Sequence, residues 1–273
     1  MSTILAKILA TKQREVAEAK RHVPLEMLHD EIAKRDATKD FVGAIAAKHG
    51  AGIGAKQPAV IAEIKKQSPS AGRFRADDDF DVARFAASYE ANGAACLSVL
   101  TDHDYFGGTA GDLRAARAAC ELPILRKDFI VDPYQIVEAR AMGADAVLFI
   151  VDVVPIDVFR EWEKLATALS LAVLIESHTE SQIRQAITLA TPLIGINNRD
   201  LTRFETHLDT TLKLAPLVGV AKLVVSESGI ESPQAIDLMM KNGILTFLVG
   251  GALMKTKDPG AALGLLFRDK FLR

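Results

Sequence analysis

Eight short apolar runs set the limits on what this chain can fold into. They are Ala59–Ile64, Ala95–Leu100, Pro123–Arg126, Ala146–Val151, Ala172–Ile175, Leu193–Ile196, Leu223–Ser226 and Leu245–Val249, and they begin between 21 and 36 residues apart. Each interval accommodates a strand, a helix and two short loops, so each strand must return parallel to the one before it. Asn92-Gly93, Met142-Gly143 and Asn242-Gly243 each close an amphipathic stretch before an apolar run, where glycine suits a left-handed helix cap. Eight such units close most simply into a (β/α)8 TIM barrel of about 215 residues. A doubly wound open sheet is the alternative. It calls for GxGxxG directly after the first strand, and this chain has Lys65-Lys66-Gln67-Ser68-Pro69-Ser70 there. The α/β class is therefore read as one barrel domain over residues 1–273.

Residues 1–48 hold no strand-like run. Leu5, Ile8, Leu9, Val16 and Ala19 recur on one helical face, which predicts a helical N-terminal extension. Gly50, Gly52, Gly54 and Pro58 then break the pattern. These glycines precede the first strand instead of following it, so they read as a flexible connector and not as a nucleotide fingerprint.

The charges nearly cancel, with Lys+Arg 33 against Asp+Glu 35 and a net of −2. That balance argues against a nucleic-acid partner, although local cations can still hold a small anion. The longest aliphatic stretches, such as residues 146–151, fall far short of the roughly 20 apolar residues that span a bilayer, so no membrane association is expected. Lys7 interrupts Ile4, Leu5, Ile8 and Leu9 before a signal-peptide core can form, which points to the cytoplasm. Cys96 and Cys120 lack CxxC spacing and read as reduced packing residues.

Ionisable residues gather at the C-terminal ends of the runs. The two-residue strand period places Ile61, Glu63 and Lys65 on one face, with Glu63 and Lys65 about 7 Å apart along it. Lys127 ends the third run, Glu176 the fifth, Asn197 the sixth, and Glu227 and Ser228 the seventh. In a barrel these ends converge on one rim, where such folds place their chemistry. Two lysines and three glutamates in a partly desolvated mouth perturb one another's proton affinities, the condition for general acid and base work. A buried ion-pair network without catalytic duty is the bland alternative.

The last two units suggest an anion site. Ser226-Glu227-Ser228-Gly229 follows strand seven, Gly250-Gly251 follows strand eight, and a helix beginning near Ala252 would turn its positive end toward a ligand. Phosphate sits at this pair of loops in many barrels. Ser68, in the loop after strand one, is within reach of the same anion. Asp102-His103-Asp104 lacks a second histidine or carboxylate at ligand spacing, so it reads as a solvated loop, and no metal is expected. Asp77-Asp78-Asp79 reads as the cap of the amphipathic helix that follows.

Ala62-Glu63-Ile64-Lys65-Lys66-Gln67-Ser68-Pro69-Ser70, Leu100-Thr101-Asp102, Arg126-Lys127-Asp128-Phe129-Ile130 with Asp132-Pro133-Tyr134-Gln135, Gly195-Ile196-Asn197-Asn198-Arg199-Asp200-Leu201 and Ser226-Glu227-Ser228-Gly229-Ile230 together resemble the indole-3-glycerol phosphate synthase family of tryptophan biosynthesis. The resemblance spans nearly the whole chain. It implies a carboxy-lyase that needs no cofactor and closes the indole ring of 1-(2-carboxyphenylamino)-1-deoxyribulose 5-phosphate with loss of carbon dioxide and water. By this resemblance Lys127 is the general acid at the ketone oxygen and Glu176 the base in the dehydration. Lys65 meets the anthranilate carboxylate and is a second candidate proton donor, and the sequence leaves the division of labour between the lysines open. Glu63 and Asn197 orient hydroxyls, and Glu227 assists at the same mouth. Phosphate falls to Ser68, Ser228, Gly229, Gly250 and Gly251, with Arg199 adding charge at the rim, while Phe106, Phe129, Leu148 and Leu201 match the family's apolar pocket.

Two positions depart from the family pattern. Glu176 is followed by Ser177 where valine is common, and Gly250 by Gly251 where serine or glutamate is common. Neither removes a reacting group; the second removes one side-chain contact to phosphate. Trp162 lies in a helical stretch away from the strand ends. The expected partner is a phosphorylated small molecule, the expected state a monomer with transient contacts to other tryptophan-pathway enzymes. Two other readings stay open at this point. Lys65 or Lys127 could form a Schiff base with a sugar-phosphate ketone, or the barrel could bind a phosphorylated metabolite or scaffold a partner without turnover.

Overall fold

Among the residues that the computed structural model describes, 3–50, 57–200 and 204–271, the eight apolar runs form eight parallel strands. These are β1 (Ala59–Ile64), β2 (Cys96–Leu100), β3 (Ile124–Lys127), β4 (Ala146–Ile150), β5 (Ala172–Ser177), β6 (Leu193–Asn197), β7 (Leu223–Glu227) and β8 (Thr246–Val249). Each pairs with its neighbours in sequence and β8 closes on β1, giving the (β/α)8 TIM barrel. Ile61 lies opposite Leu248 on one side and Cys96 on the other. Four strands run past the apolar stretch into the polar residues at its end, because the backbone ladder is indifferent to side-chain polarity. Leu100 pairs with Lys127, Ile150 with Glu176, and Asn197 with Glu227.

The two-residue alternation sorts the strands into two cores. Val60, Ala62 and Ile64 face outward into the layer beneath the helices, with Phe149, Phe159 and Trp162 packed together there. Ala59 and Ile61 face inward with Leu125, Leu148, Leu174, Val225 and Leu248. Several of the surrounding helices start at a side-chain cap, while those over Tyr134–Met142, Ile156–Ala168 and Asp209–Val218 start without one. Thr109 and Thr179 close capping boxes, and Ser232 and Asp258 accept amide hydrogen bonds. Gly93, Gly143 and Gly243 all have positive φ, as the repeat predicts. The triple aspartate does otherwise: Asp77–Asp79 forms a short 3-10 turn, and the cap of the following helix is Asp81. Asp77 instead pairs with Lys66 and Arg73, and Asp79 with Arg75 and Arg84.

The N-terminal extension closes both ends of the barrel. Helices α1 (Thr3–His22), α2 (Leu25–Ile32) and α3 (Phe41–His49) precede β1. Leu5, Ile8 and Leu9 of α1 join the inner core, as do Phe41 and Ile45 of α3. Phe41 packs at the strand N-termini, where its carbonyl accepts from the Cys96 thiol, whereas Leu5 and Ile8 lie over the C-terminal mouth. Val16 and Leu28 pack on Tyr134, Val137 and Ala141. Cys96 and Cys120 are buried free thiols. Gly52 and Gly54 of the expected connector lie outside the described residues. No described helix is long and apolar enough to cross a membrane.

Candidate active site

At the end of β1 the strand period brings Glu63 and Lys65 to the same inward face, where they form an ion pair. The Lys65 ammonium also lies 5.5 Å from the centre of the Phe74 ring. Neighbouring β8 makes room for them: a methyl group on Gly250 would overlap the Glu63 carboxylate.

Lys127, at the end of β3, points across the mouth to β5 and β7. Its Nζ donates to Glu176 Oε2 at 3.0 Å and lies 3.9 Å from Glu227 Oε2. Glu176 also accepts from Asn197 Nδ2 at 3.0 Å, and His178 Nε2 stands 3.4 Å from its Oε1. Burial works against the Lys127 ammonium, but Glu176, Glu227 and Glu63 outweigh it, so the amine titrates above its ordinary range. Burial likewise works against the Glu176 carboxylate, and Lys127, His178 and Asn197 overcome it, lowering the group to about 2. Glu227 goes the other way. Burial first, then the Glu176 charge, raise it well above the carboxylate range, and its Oε1 has no hydrogen-bond partner among the described residues. The mouth thus sets an ammonium beside two carboxyl groups whose proton affinities are driven apart, Glu176 downward and Glu227 upward.

Glycine-rich loops form the other side of the same pocket. Ser228 and Gly229 both have positive φ, at 65° and 79°, which turns the chain sharply after β7. The Ser228 hydroxyl donates to Asn197 Oδ1 at 2.9 Å, and the Arg199 amide donates to the same oxygen at 3.0 Å. Gly250 precedes a single helical turn, Gly251–Met254. The first amides of a helix have no intrahelical acceptor and can face an anion. Ser68 sits in a short antiparallel ladder, Gln67–Ser68 against Gly72–Arg73, and its hydroxyl accepts from the Ala71 amide at 3.2 Å. Ser68, Arg199, Ser228, Gly229, Gly250 and Gly251 all line the pocket.

Phe106, Phe129 and Leu148 build its apolar wall, the two rings 6.0 Å apart, and Leu5 and Ile8 of α1 cover it. Leu201, expected in this wall, lies outside the described residues. The expectation of a solvated loop at Asp102-His103-Asp104 fails at its first residue. His103 is exposed, but Asp102 is fully buried and pairs with Lys12 at 3.0 Å. Sequence reading also passes over Lys12 and His178. A lysine on the apolar stripe of α1, at the helical spacing of Leu5, Ile8 and Val16, was the signal available for Lys12.

The indole-3-glycerol phosphate synthase family model matches residues 5–266. The chain is 52% identical over 267 residues to the indole-3-glycerol phosphate synthase of Burkholderia multivorans, covering 98% of this chain and 100% of that one. It is 51% identical over 267 residues to the same enzyme of Aromatoleum aromaticum, with the same coverage. Among solved structures, thiamine phosphate pyrophosphorylase from Pyrococcus furiosus matches with a TM-score of 0.57 at 18% identity, covering 79% of this chain and 97% of that one. The tryptophan synthase α2β2 complex of a hyperthermophile, Pyrococcus furiosus, matches with a TM-score of 0.57 at 14% identity, covering 79% and 98%. These two likenesses show the barrel fold alone. With the family model spanning nearly the whole chain and relatives above half identity, the chain belongs to the indole-3-glycerol phosphate synthase family.

Proposed function

We propose that this pocket carries out the family's ring closure with Lys127 as general acid and Glu176 as base. The ring carbon bearing the carboxylate of 1-(2-carboxyphenylamino)-1-deoxyribulose 5-phosphate attacks the ketone carbon. The carbonyl π pair moves to oxygen, which takes a proton from Lys127. Carbon dioxide then leaves, and its bonding pair returns to the ring system. In the dehydration the new hydroxyl accepts a second proton and departs as water, while Glu176 removes the proton from the carbon beside nitrogen to give indole-3-glycerol phosphate. Lys65 pairs with the anthranilate carboxylate and supplies the second proton. Glu63, Asn197 and Glu227 orient hydroxyls. Ser68, Ser228, Gly229, Gly250 and Gly251 hold the phosphate through amides and hydroxyls, with Arg199 at the rim. Phe106, Phe129 and Leu148 pack on the aromatic ring.

One observation carries this reading: the Lys127 ammonium lies 3.0 Å from an ionised carboxylate inside the pocket that the glycine-rich loops also line. The ammonium is in the state to donate and the carboxylate in the state to accept, and substrate that separates the pair brings both proton affinities back toward the working pH. The Schiff-base alternative needs a neutral amine, and the carboxylates around Lys127 hold it charged.

The test is to add the substrate to the purified protein and follow indole fluorescence and carbon dioxide release, with borohydride in a parallel sample. Equal yields of both products and no covalent adduct are expected. Absence of fluorescence, or a trapped adduct, overturns the reading. We further read the chain as a cytoplasmic monomer that meets other tryptophan-pathway enzymes only in passing. Light scattering is expected to give 29.5 kDa, and a multiple of it overturns the monomer.

A further inference from the structure

Lys12 lies on the buried face of α1, one turn beyond Ile8, and only 4% of it is exposed. Its Nζ lies 3.0 Å from Asp102 Oδ1 and 3.0 Å from Asp128 Oδ1, and 2.6 Å from Glu15 on its own helix. The two aspartates belong to the loops after β2 and β3, so one ammonium ties the N-terminal helix to two neighbouring units of the barrel. Both aspartates act further into the pocket. Asp102 Oδ2 accepts from the amides of Tyr105 and Phe106 at 3.0 and 3.2 Å. Asp128 Oδ1 accepts from the Phe129 amide at 2.8 Å, and its Oδ2 accepts from Thr101 at 2.6 Å and from Arg126 at 3.1 Å. Phe106 and Phe129 are the paired rings of the apolar wall, and Asp128 directly follows Lys127. A second link runs alongside, with Thr11 3.2 Å from the Tyr105 hydroxyl.

We propose that Lys12 is a positioning residue for the aromatic half of the substrate: through Asp102 and Asp128 it sets the Phe106–Phe129 wall and seats Leu5 and Ile8 over it. The inference rests on the assignment of this pocket as the reaction site. Among the described residues, the hydrogen bonds and ion pairs of Lys12, Asp102 and Asp128 stay within α1, β3 and the loops after β2 and β3, so the phosphate end is expected to respond separately. Removing the buried cation takes Asp102's ion-pair partner away and leaves Asp128 with Arg126 alone, which loosens the loops they anchor.

The experiment compares Lys12→Met with Lys20→Met, which removes the exposed ion pair from α1 to Asp132 at 2.7 Å. Steady-state kinetics give kcat and KM, and inorganic phosphate serves as a competitive inhibitor that reports on the phosphate loops alone. For Lys12→Met the expected result is a KM raised at least tenfold, kcat within threefold, and phosphate inhibition within twofold; Lys20→Met leaves all three within twofold. Should Lys12→Met fail to fold, Asp102→Asn keeps the acceptor for Tyr105 and Phe106 while removing one charge, and is expected to raise KM at least threefold with the same split. KM unchanged, or KM, kcat and phosphate inhibition shifting together, overturns the proposal. An unchanged KM beside an inactive Lys127→Ala enzyme overturns this inference alone, whereas a fully active Lys127→Ala enzyme overturns the site assignment beneath it.

Discussion

Gly195, in the middle of β6, faces Glu227 on β7 so closely that a methyl group on its Cα would overlap the Glu227 carboxylate. Gly250 stands in the same relation to Glu63. Neither glycine has positive φ, so its missing side chain, and not its backbone freedom, is what the site uses. Replacing Gly195 with alanine is expected to displace Glu227 from Lys127 and lower kcat about tenfold to a hundredfold, the usual cost of misplacing a reacting group by about 1 Å. Circular dichroism is expected to stay native. A Gly195→Ala enzyme with full turnover contradicts a working role for Glu227.

Glu227 also makes stability depend on pH with a definite sign. In the fold its carboxyl keeps its proton well above 4.5, its ordinary value, at which the unfolded chain releases it. Above that pH the folded state binds more protons than the unfolded one, so this group's contribution falls as pH rises, by up to about 1.4 kcal/mol per pH unit. Glu176 works the other way: lowered to about 2, it stabilises the fold above its ordinary 4.5 and loses that contribution as pH falls toward 2. Urea unfolding between about pH 5 and 7 is expected to show Glu227→Gln gaining on the parent protein as pH rises. A variant that loses ground over that range contradicts the upward shift at Glu227.

The phosphate assignment is testable at Gly229. Its φ is 79°, and an added Cβ would lie 2.8 Å from Thr206 Cγ2. Gly229→Ala therefore strains the turn, at about 1–2 kcal/mol for the left-handed backbone alone, and moves the amides proposed to hold phosphate. KM is expected to rise about tenfold with kcat within a few fold, because Lys127 and Glu176, the acid and the base, lie on β3 and β5. Unchanged KM and unchanged inhibition by inorganic phosphate contradict a phosphate role for this loop.

Much of this molecule is legible in its sequence. Each strand announces itself by an apolar run, and the residues ending those runs, from Glu63 to Glu227, meet at one mouth because parallel strands all end on the same side. The unread part involves partners distant along the chain. Asp102 looks solvated beside His103 and Asp104, yet the cation that buries it is Lys12, ninety positions away. Gly195 reads as a weak strand residue until Glu227 is placed beside it. Asp77–Asp79 looks like a helix cap because nothing local shows that Lys66, Arg73, Arg75 and Arg84 will claim those carboxylates.

The most direct measurement is the kinetics of Lys127→Ala, with kcat and the substrate dissociation constant determined separately. Loss of a general acid predicts a kcat lower by about a hundredfold to ten-thousandfold, with substrate affinity within a few fold. A Lys127→Ala enzyme that turns over at the parent rate would contradict acid catalysis by this lysine.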